Sequence, residues 1–242
     1  MKFAYVIPAR YKSSRFPGKP LKKILGKPML LRTYHRCVRA VGKKNLFIAT
    51  DDKKIVKFCI KNNLKYLLTS KKCLTGTDRV AEFSQKRIYT NYINIQGDEP
   101  IFNPNDLKKI IKFTKKNPKL IYGGYCKILK QKDYKNASIP KVVLDKKSNL
   151  LYMSRAAIPS NKDLKFLKAL RQVCIYSYPR KMLKLFLKRK QKTELEKIED
   201  LELLGFLEKG IKVKMIKMSN KSISVDKPSD VKKVEKYLKR RS

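Results

Sequence analysis

Short apolar runs and amphipathic segments alternate through the first 116 residues of the chain, with short connections between them. The apolar runs are typical of buried strands, and the segments between them have the apolar spacing of helices. The predicted strands are Lys2–Pro8, Asn45–Thr50, Lys65–Thr69 and Asn91–Gln96, and the predicted helices are Pro28–Val41, Asp51 or Asp52 to about Asn62, Thr77–Ile88 and Pro104–Lys116. This alternation predicts an α/β fold whose mainly parallel sheet is covered by helices on both faces and binds ligands at the carboxyl ends of its strands.

The second half of the chain is less regular and predicts a strand hairpin. Lys141–Leu144 and Leu150–Ser154 flank the turn Asp145–Asn149. The other predicted elements are strands Leu120–Lys127, Val173–Tyr178 and Ile211–Ile216, a helix that starts with a Thr193–Glu196 capping box and ends near Glu208, and a closing helix Pro228–Leu238. Neither an internal repeat nor a linker interrupts this order, so we expect residues 1–242 to form a single domain.

The composition is that of a globular protein. With 242 residues, of which 42% are hydrophobic, the chain can bury a substantial core. It has no apolar run near the roughly 18 residues of a membrane span, and Phe3–Pro8 is too short for a signal peptide. The five cysteines lack the spacing of a zinc site, and their odd number argues against a disulfide framework. We therefore expect a cytoplasmic protein with reduced cysteines and no membrane insertion.

The formal net charge of +42 raises the possibility of a nucleic-acid-binding protein. The lysines, however, occur along the whole chain, and no arginine-rich arm, helix-turn-helix or aromatic RNA-binding motif accompanies them. We therefore expect no specific nucleic-acid partner, and we expect the charge to steer anionic substrates toward the protein. A basic, non-catalytic nucleic-acid-binding protein remains the alternative from a different functional class.

The loop after the first predicted strand is rich in groups that bind phosphate. Its sequence is Pro8-Ala9-Arg10-Tyr11-Lys12-Ser13-Ser14-Arg15-Phe16-Pro17-Gly18-Lys19-Pro20. Arg10, Arg15 and Lys19 can neutralise a triphosphate, and backbone N–H groups can bind its oxygens. The alternative is a solvated basic loop, which is an ordinary feature in a chain with 61 lysines and arginines.

Two carboxylates follow the predicted strand Asn91–Gln96, in the segment Gln96-Gly97-Asp98-Glu99-Pro100. A carboxylate at a strand end can hold Mg²⁺ against a triphosphate, because magnesium keeps much of its water shell and uses only one or two protein carboxylates. The alternative is a polar turn in which Asp98 caps the next element.

These two segments and several others resemble the 3-deoxy-manno-octulosonate cytidylyltransferases, which are relatives of the acylneuraminate cytidylyltransferases. The resemblance runs nearly end to end. Besides the loop from Pro8 to Pro20 and the segment Gln96–Pro100, the matching stretches are Gly26–Met29, Ala49–Asp52, Thr75–Arg79, Lys141–Asp145, Ser154–Pro159, Ile175–Tyr178, Leu195–Glu199 and Ser224–Asp230. Many motifs in the same order are more specific than any one of them.

The resemblance implies a Rossmann-like nucleotide-diphospho-sugar transferase fold with a mixed, mainly parallel central sheet. It also implies a homodimer and a small lobe, about residues 128–180, that contains the hairpin and contributes to dimerisation and sugar binding.

The resemblance further implies a set of site residues. Asp98 and Asp226 would bind Mg²⁺, and Asp98, Lys19 and Arg10 would carry catalysis. The implied nucleotide-binding residues are Pro8, Ala9, Arg10, Ser13, Arg15, Lys19, Thr75, Gly76, Thr77, Arg79 and Gln96, and the implied sugar-binding residues are Gln96, Arg79, Arg155, Gln172, Tyr176, Glu196 and Glu199.

The implied reaction is in-line attack by the anomeric C2 hydroxyl of a sugar acid on the α-phosphate of CTP, which releases pyrophosphate for lipopolysaccharide or surface-glycan synthesis. The only histidine, His35, lies within the first predicted helix, and we expect it to be structural. Gln172, Cys174 and Thr75 depart from the family pattern close to the sugar. An 8-amino-octulosonate or a nonulosonate therefore remains an alternative substrate to 3-deoxy-manno-octulosonate.

Overall fold

The structure is a computed structural model, and it describes residues 1–12, 16–187 and 189–240. The strands are β1 Phe3–Ala9, β2 Lys23–Ile24, β3 Lys27–Pro28, β4 Leu46–Thr50, β5 Tyr66–Leu68, β6 Asn91–Ile95, β7 Ile121–Lys127, β8 Lys141–Leu144, β9 Leu150–Ser154, β10 Leu170–Pro179 and β11 Val213–Lys217. The α-helices are α1 Met29–Val41, α2 Lys53–Lys61, α3 Gly76–Lys86, α4 Pro104–Lys116, α5 Gln131–Tyr134, α6 Arg180–Leu183, α7 Glu194–Glu199, α8 Leu204–Leu207 and α9 Pro228–Lys239. Short 3₁₀ turns cover Lys19–Leu21 and Lys184–Phe186.

The central sheet is mixed, as predicted. Its strand order is β11-β7-β10-β6-β1-β4-β5, and β1, β4, β5 and β6 run parallel to their neighbours in that group. The long strand β10 is antiparallel to both β6 and β7, whereas β11 pairs with β7 in parallel. The register of β10 against β7 shifts between Val173 and Tyr176, so β10 carries a bulge beside the end of β6.

Helices cover both faces of this sheet because its strands are apolar on both sides. In β1, Phe3 and Ile7 belong to one hydrophobic cluster and Ala4 and Val6 to another, since successive side chains of a strand point to opposite faces. The first cluster is completed by residues of α1, α2 and α4, and the second by residues of α3 and α8. Between these two layers of helices, the parallel strands β1, β4, β5 and β6 end at the same edge of the sheet.

Most predicted element boundaries agree with the structure to within a few residues. Asp52 caps α2 by accepting a hydrogen bond from Lys54 N at 2.7 Å. Gly42 ends α1 with a φ of 70°, which a residue without a Cβ adopts at little cost. The predicted hairpin is confirmed: β8 and β9 pair antiparallel, and β8 also pairs with β10, so the hairpin extends from the central sheet.

The predicted single helix from Thr193 to Glu208 is wrong. Asp200 has a φ of 51° and ends α7, and α8 starts only at Leu204. The Thr193 side chain makes no cap hydrogen bond to the helix. Instead, the Glu208 carboxylate accepts hydrogen bonds from Leu195 N at 3.0 Å and Glu196 N at 3.3 Å. The chain turns at Asp200, and the Glu208 carboxylate, just after α8, caps the α7 N-terminus.

Candidate active site

Asp98 and Asp226 meet at Lys19. Asp98 follows β6, Asp226 precedes α9, and the Lys19 Nζ lies 2.8 Å from an Asp98 carboxylate oxygen and 3.9 Å from an Asp226 carboxylate oxygen. The Asp98 and Asp226 side chains are 26% and 24% exposed, so both open toward solvent beside the loop that follows β1. The structure thus brings together residues that are far apart in sequence, and the Lys19 ammonium offsets the repulsion between the two carboxylates.

Backbone contacts hold Asp226 at the end of β6. Val225 N donates to the backbone oxygen of Asp98 at 2.9 Å, and Lys19 Nζ donates to the backbone oxygen of Val225 at 2.9 Å. The Asp230 carboxylate accepts from Asp226 N and Lys227 N, both at 3.1 Å, and so caps the first turn of α9. The α9 N-terminus and the end of β6 therefore form one unit.

The two carboxylates fit a magnesium ion. Mg²⁺ prefers oxygen ligands, and one or two protein carboxylates together with water and phosphate oxygens complete its shell. Within residues 1–12, 16–187 and 189–240, no group of three or more His, Cys, Asp and Glu side chains could hold a metal ion. A two-carboxylate site is therefore compatible with magnesium and a bound triphosphate, and it lacks the ligand number of a closed structural zinc site.

Strand β1 ends with the buried residues Pro8 and Ala9, and Arg10, the first residue of the loop that follows, is exposed. A Cβ on Gly97 would lie 3.2 Å from the Pro8 backbone oxygen, so the loop and the segment after β6 are in close contact. Gly18 N donates to the Tyr11 backbone oxygen at 3.0 Å and closes the loop just before Lys19. The predicted phosphate-binding residues Ser13 and Arg15 lie outside the described residues.

The start of α3 lies beside Gln96. A Cβ on Gly76 would be 3.0 Å from the Gln96 amide nitrogen, so only glycine fits there without displacing that side chain. Thr75 caps α3 by accepting from Asp78 N at 3.2 Å. Gly76 N and Thr77 N each donate to the Glu202 carboxylate at 3.0 Å. The predicted lining from Thr75 to Thr77 is thus next to Gln96, and an internal carboxylate already occupies its N–H groups.

Arg79 is engaged elsewhere. Its buried guanidinium donates to the Thr69 hydroxyl and lies 3.4 Å from an Asp51 carboxylate oxygen. These partners lie after β5 and β4, so Arg79 links α3 to that end of the sheet.

Arg155 and Glu199 bind each other. Arg155 N donates to the Glu199 carboxylate at 2.8 Å, and Arg155 Nε donates to the Glu199 backbone oxygen at 2.6 Å. The two Arg155 terminal nitrogens donate to the backbone oxygens of Ala137 and Asp200. These hydrogen bonds therefore hold the residue after β9 against the end of α7.

Gln172 and Tyr176 form a second buried pair on β10. The Gln172 amide donates to the Tyr176 hydroxyl at 2.6 Å, and both side chains are buried. Burial raises the pKa of Tyr176 well above its usual value, so the phenol stays protonated.

Comparison with known proteins is decisive for the family. Residues 4–219 match the family model for cytidylyltransferases. The chain belongs to the cytidylyltransferase family. Its similarity to the 3-deoxy-manno-octulosonate cytidylyltransferase of Protochlamydia amoebophila is 40% identity, covering 96% of this chain and 93% of that protein. An 8-amino-3,8-dideoxy-manno-octulosonate cytidylyltransferase of Shewanella is 35% identical, covering 98% of this chain and 99% of that protein.

Two solved structures resemble the fold of this cytidylyltransferase over nearly its whole length. The structure of CMP:2-keto-3-deoxy-manno-octonic acid synthetase complexed with CTP superimposes with a TM-score of 0.90 at 32% identity and covers 100% of both chains. A putative glucose-1-phosphate thymidylyltransferase from Bacillus anthracis has a TM-score of 0.70 at 12% identity, covers 97% of this chain and 94% of that one, and so shares the fold alone.

Two charged residues close to the predicted site residues carry no distinct signal in the sequence. Arg189 lies between Asp78 and Glu196: its Nε is 2.5 Å from an Asp78 oxygen and its Nη2 is 2.9 Å from a Glu196 oxygen. Burial opposes the charge on Arg189, but the hydrogen bonds that it donates to Asp78 and Glu196 raise its pKa above the usual value. Nothing in the sequence distinguishes Arg189 from the other cations.

Glu202 is the second of these residues. Burial is the main cause that raises the pKa of Glu202 to about 7, and the nearby Asp78 adds to it, although hydrogen bonds from Thr77 and Gly76 oppose the rise. The sequence places Glu202 in an acidic segment, where a helix-capping role for one glutamate has no distinct pattern.

Proposed function

We propose that this cytidylyltransferase transfers CMP from CTP to the anomeric C2 hydroxyl of 3-deoxy-manno-octulosonate and releases pyrophosphate. The observation that carries the proposal is the convergence of Lys19, Asp98 and Asp226 at the ends of β1 and β6. In an α/β sheet this edge is where nucleotides bind, and the three side chains supply the charges that a metal–triphosphate complex requires.

The relatives support the same substrates. The Protochlamydia and Arabidopsis relatives are both named 3-deoxy-manno-octulosonate cytidylyltransferases, and they are 40% and 37% identical over at least 96% of this chain. The synthetase structure of TM-score 0.90 contains CTP.

In the proposed mechanism Asp98 and Asp226 hold Mg²⁺, while Lys19 and Arg10 bind phosphate oxygens. The ion, when bound, offsets the charge that develops on the leaving pyrophosphate and lowers the pKa of the attacking hydroxyl. Asp98 lies in the turn after β6, where Val225 N binds its backbone oxygen and Lys19 Nζ binds its carboxylate, so its oxygens are held in place before the substrates bind. No strong side-chain base is needed, and His35 is exposed on α1.

The nucleotide and the sugar acid share one cleft in this proposal. Pro8, Ala9 and the loop residues Ser13 and Arg15 are proposed to contact the nucleotide. The other proposed contacts to nucleotide or sugar are Thr75, Gly76, Thr77, Arg79, Gln96, Arg155, Gln172, Tyr176, Glu196 and Glu199. Gln96 lies beside the start of α3, which supports a boundary between the two substrates there.

A homodimer through the lobe of residues 128–180 is also part of the proposal. Large apolar side chains are exposed in that lobe: Leu129, Leu151, Leu164 and Leu167 are 59–77% exposed. Several exposed apolar side chains in one lobe favour a protein partner. Size-exclusion chromatography with light scattering checks this: a monomer at micromolar concentration contradicts it.

A cytoplasmic location is proposed as well. The cysteines Cys37, Cys59, Cys73, Cys126 and Cys174 are all free, which is typical of a reducing compartment. No helix in the described parts of the chain is long and apolar enough to cross a membrane.

The test is pyrophosphate release from CTP and Mg²⁺ with a panel of sugar acids: 3-deoxy-manno-octulosonate, its 8-amino analogue and an acylneuraminate. We expect the highest kcat/KM with 3-deoxy-manno-octulosonate. Preference for the 8-amino sugar would support the substrate of the Shewanella relative instead. No turnover with any sugar, together with salt-sensitive nucleic-acid binding, would support the basic binding protein.

A further inference from the structure

A buried glutamate lies next to Asp98. Glu99 is 2% exposed, and its carboxylate accepts a hydrogen bond from Cys174 N at 3.1 Å, within the bulge of β10. Its other oxygen accepts from the Ser222 hydroxyl, and Ser222 is 3% exposed. Burying a carboxylate without hydrogen bonds is unfavourable in free energy, so the two bonds from Cys174 N and Ser222 favour this position of the Glu99 side chain.

The segment that Glu99 holds is the one that carries Asp226. Residues 218–226 between β11 and α9 contain neither helix nor strand. Side-chain contacts fix this segment instead: Ser219 bonds to Asp106, Ser222 bonds to Glu99, and Arg171 Nη2 donates to the Ser222 backbone oxygen at 3.0 Å. The Glu99 contact lies four residues before Asp226, whereas the Asp106 contact lies at the far end of the segment.

Glu99 therefore joins the two halves of the site. One peptide unit separates it from Asp98, and one hydrogen bond separates it from the segment that ends in Asp226. The backbone bond from Val225 N to the Asp98 oxygen runs alongside, at 2.9 Å. Together these contacts fix how Asp98 and Asp226 face each other.

Resting on the proposed function, we propose that Glu99 and Ser222 are positioning residues for the divalent cation, because their hydrogen bond sets the separation of the Asp98 and Asp226 carboxylates. Loss of this hydrogen bond leaves both carboxylates in the chain but lets the Asp226 segment move. Partners outside the ligand set are typically responsible for about 10–100-fold in metal affinity. The expected defect is in cation binding and leaves the recognition of the sugar unchanged.

The chain offers a matched pair of substitutions. Ser222→Ala and Ser219→Ala each remove one hydroxyl that donates to a buried carboxylate, Glu99 or Asp106, in the same segment. Only the Ser222 contact is close to Asp226. A merely structural role predicts similar effects for both, whereas a positioning role predicts that they differ.

The measurement is Mn²⁺ binding to the CTP-loaded protein, followed by electron paramagnetic resonance without sugar, alongside the Mg²⁺ midpoint of pyrophosphate release and the Tm. For Ser222→Ala we expect the Mn²⁺ Kd and the Mg²⁺ midpoint to rise roughly tenfold, with an unchanged KM for the sugar. For Ser219→Ala we expect both within about twofold of the unsubstituted protein, at a comparable Tm loss.

Glu99→Gln provides a rescue test. Glutamine can accept from Cys174 N through its oxygen and donate to the Ser222 hydroxyl through its nitrogen, so we expect Mn²⁺ affinity within about threefold of the original. Glu99→Ala removes both bonds, and we expect it to weaken Mn²⁺ binding at least as much as Ser222→Ala.

Two results would overturn the proposal: equal Mn²⁺ affinity in Ser222→Ala and Ser219→Ala, or a Mn²⁺ affinity in Glu99→Gln as weak as that in Glu99→Ala. Failure of the proposed function is distinguishable, because it shows as absence of turnover with every sugar acid in the unsubstituted protein. Mn²⁺ binding with CTP still reports on Glu99 and Ser222 in that case.

Discussion

Two groups of carboxylates line the candidate site, and they differ in what they bind. At the first, here the phosphate end, Asp98 and Asp226 are partly exposed and share a lysine. At the second, here the α3 end, Asp78, Glu196 and Glu202 bind an internal arginine or the N–H groups of a helix start. The carboxylates at the phosphate end are partly exposed and can reach a ligand, whereas the carboxylates at the α3 end are bound by other groups of the protein.

This difference predicts that substitutions at the phosphate end affect mainly activity and that substitutions at the α3 end affect mainly stability. A substitution at the phosphate end changes partly exposed side chains, so water can replace part of the lost interaction and the effect on stability is smaller than for a buried pair. A substitution at the α3 end leaves a buried charge without a partner, which costs stability before it costs activity. The three predictions below test this separation.

Asp98→Asn has the largest expected effect. The substitution keeps the size of the side chain but removes the negative charge that is proposed to bind Mg²⁺. We expect kcat/KM to fall at least about a hundredfold, because loss of outer partners of a metal alone typically costs roughly 10–100-fold. Pyrophosphate release at several Mg²⁺ concentrations measures this, and the Tm should stay within a few degrees.

Asp163→Asn is the control for this substitution. Asp163 is 65% exposed and pairs with Lys165 at 3.4 Å, and it is not among the proposed magnesium, nucleotide or sugar contacts. We expect its activity and Tm to equal those of the unsubstituted protein. Near-normal turnover in Asp98→Asn would refute the metal role of Asp98.

Arg189→Met is the matching change at the α3 end. It leaves Glu196, which is fully buried, and Asp78 without their cation. Breaking a buried ion pair by removing one partner costs about 3–5 kcal/mol. For a chain of this size, a loss of about 3 kcal/mol lowers the Tm by roughly 6–12 °C. Thermal unfolding followed by circular dichroism measures it.

The exposed pair serves as the reference again. Lys165→Met removes a cation whose partner remains in water, so we expect a Tm change of less than about 2 °C. If the Tm of Arg189→Met is no lower than that of Lys165→Met, the ion pairs of Arg189 do not stabilise the fold. A raised KM for the sugar acid with an unchanged Tm would then assign Arg189 to substrate binding.

Local patterns predicted the parallel half of the fold well. Strands β1, β4 and β6 and helix α4 agree closely with their predicted ranges, since apolar periodicity and capping residues act locally. The break at Asp200 was missed because neither glycine nor proline stands there, and the contact of Glu208 with the start of α7 forms only in the folded chain.

The site shows the same limit. The sequence pointed to the loop after β1 and to Asp98, because a cationic loop and an acidic turn at strand ends have a recognisable chemistry. Asp226 came from the family resemblance alone. Arg189 and Glu202 could not be found, since their roles depend on which buried carboxylate or helix end they meet in three dimensions.

The smallest expected effect concerns the pH dependence of Glu202. Its pKa in the fold is about 7, against 4.5 for an unperturbed glutamate; the acids Asp78 and Glu196 lie nearby, and Arg189 binds both of them. The folded protein therefore binds more protons than the unfolded chain between these values, so Glu202 makes stability fall as pH rises from about 4.5 to 7. Glu202→Gln lacks this effect, so the difference in unfolding free energy between the unsubstituted protein and the variant should shrink from pH 5 to pH 8 by on the order of 2 kcal/mol.

Glu208→Gln is the control, because Glu208 also accepts N–H groups at a helix start but on the surface. Hydrogen bonds from Thr193 and from Leu195 N outweigh desolvation and lower the pKa of Glu208. Its contribution is lost only as pH falls below the unfolded value, so between pH 5 and pH 8 the Tm difference for Glu208→Gln should stay constant. Equal pH profiles for the two variants would contradict the raised pKa of Glu202 and would show that burial does not separate the two glutamates.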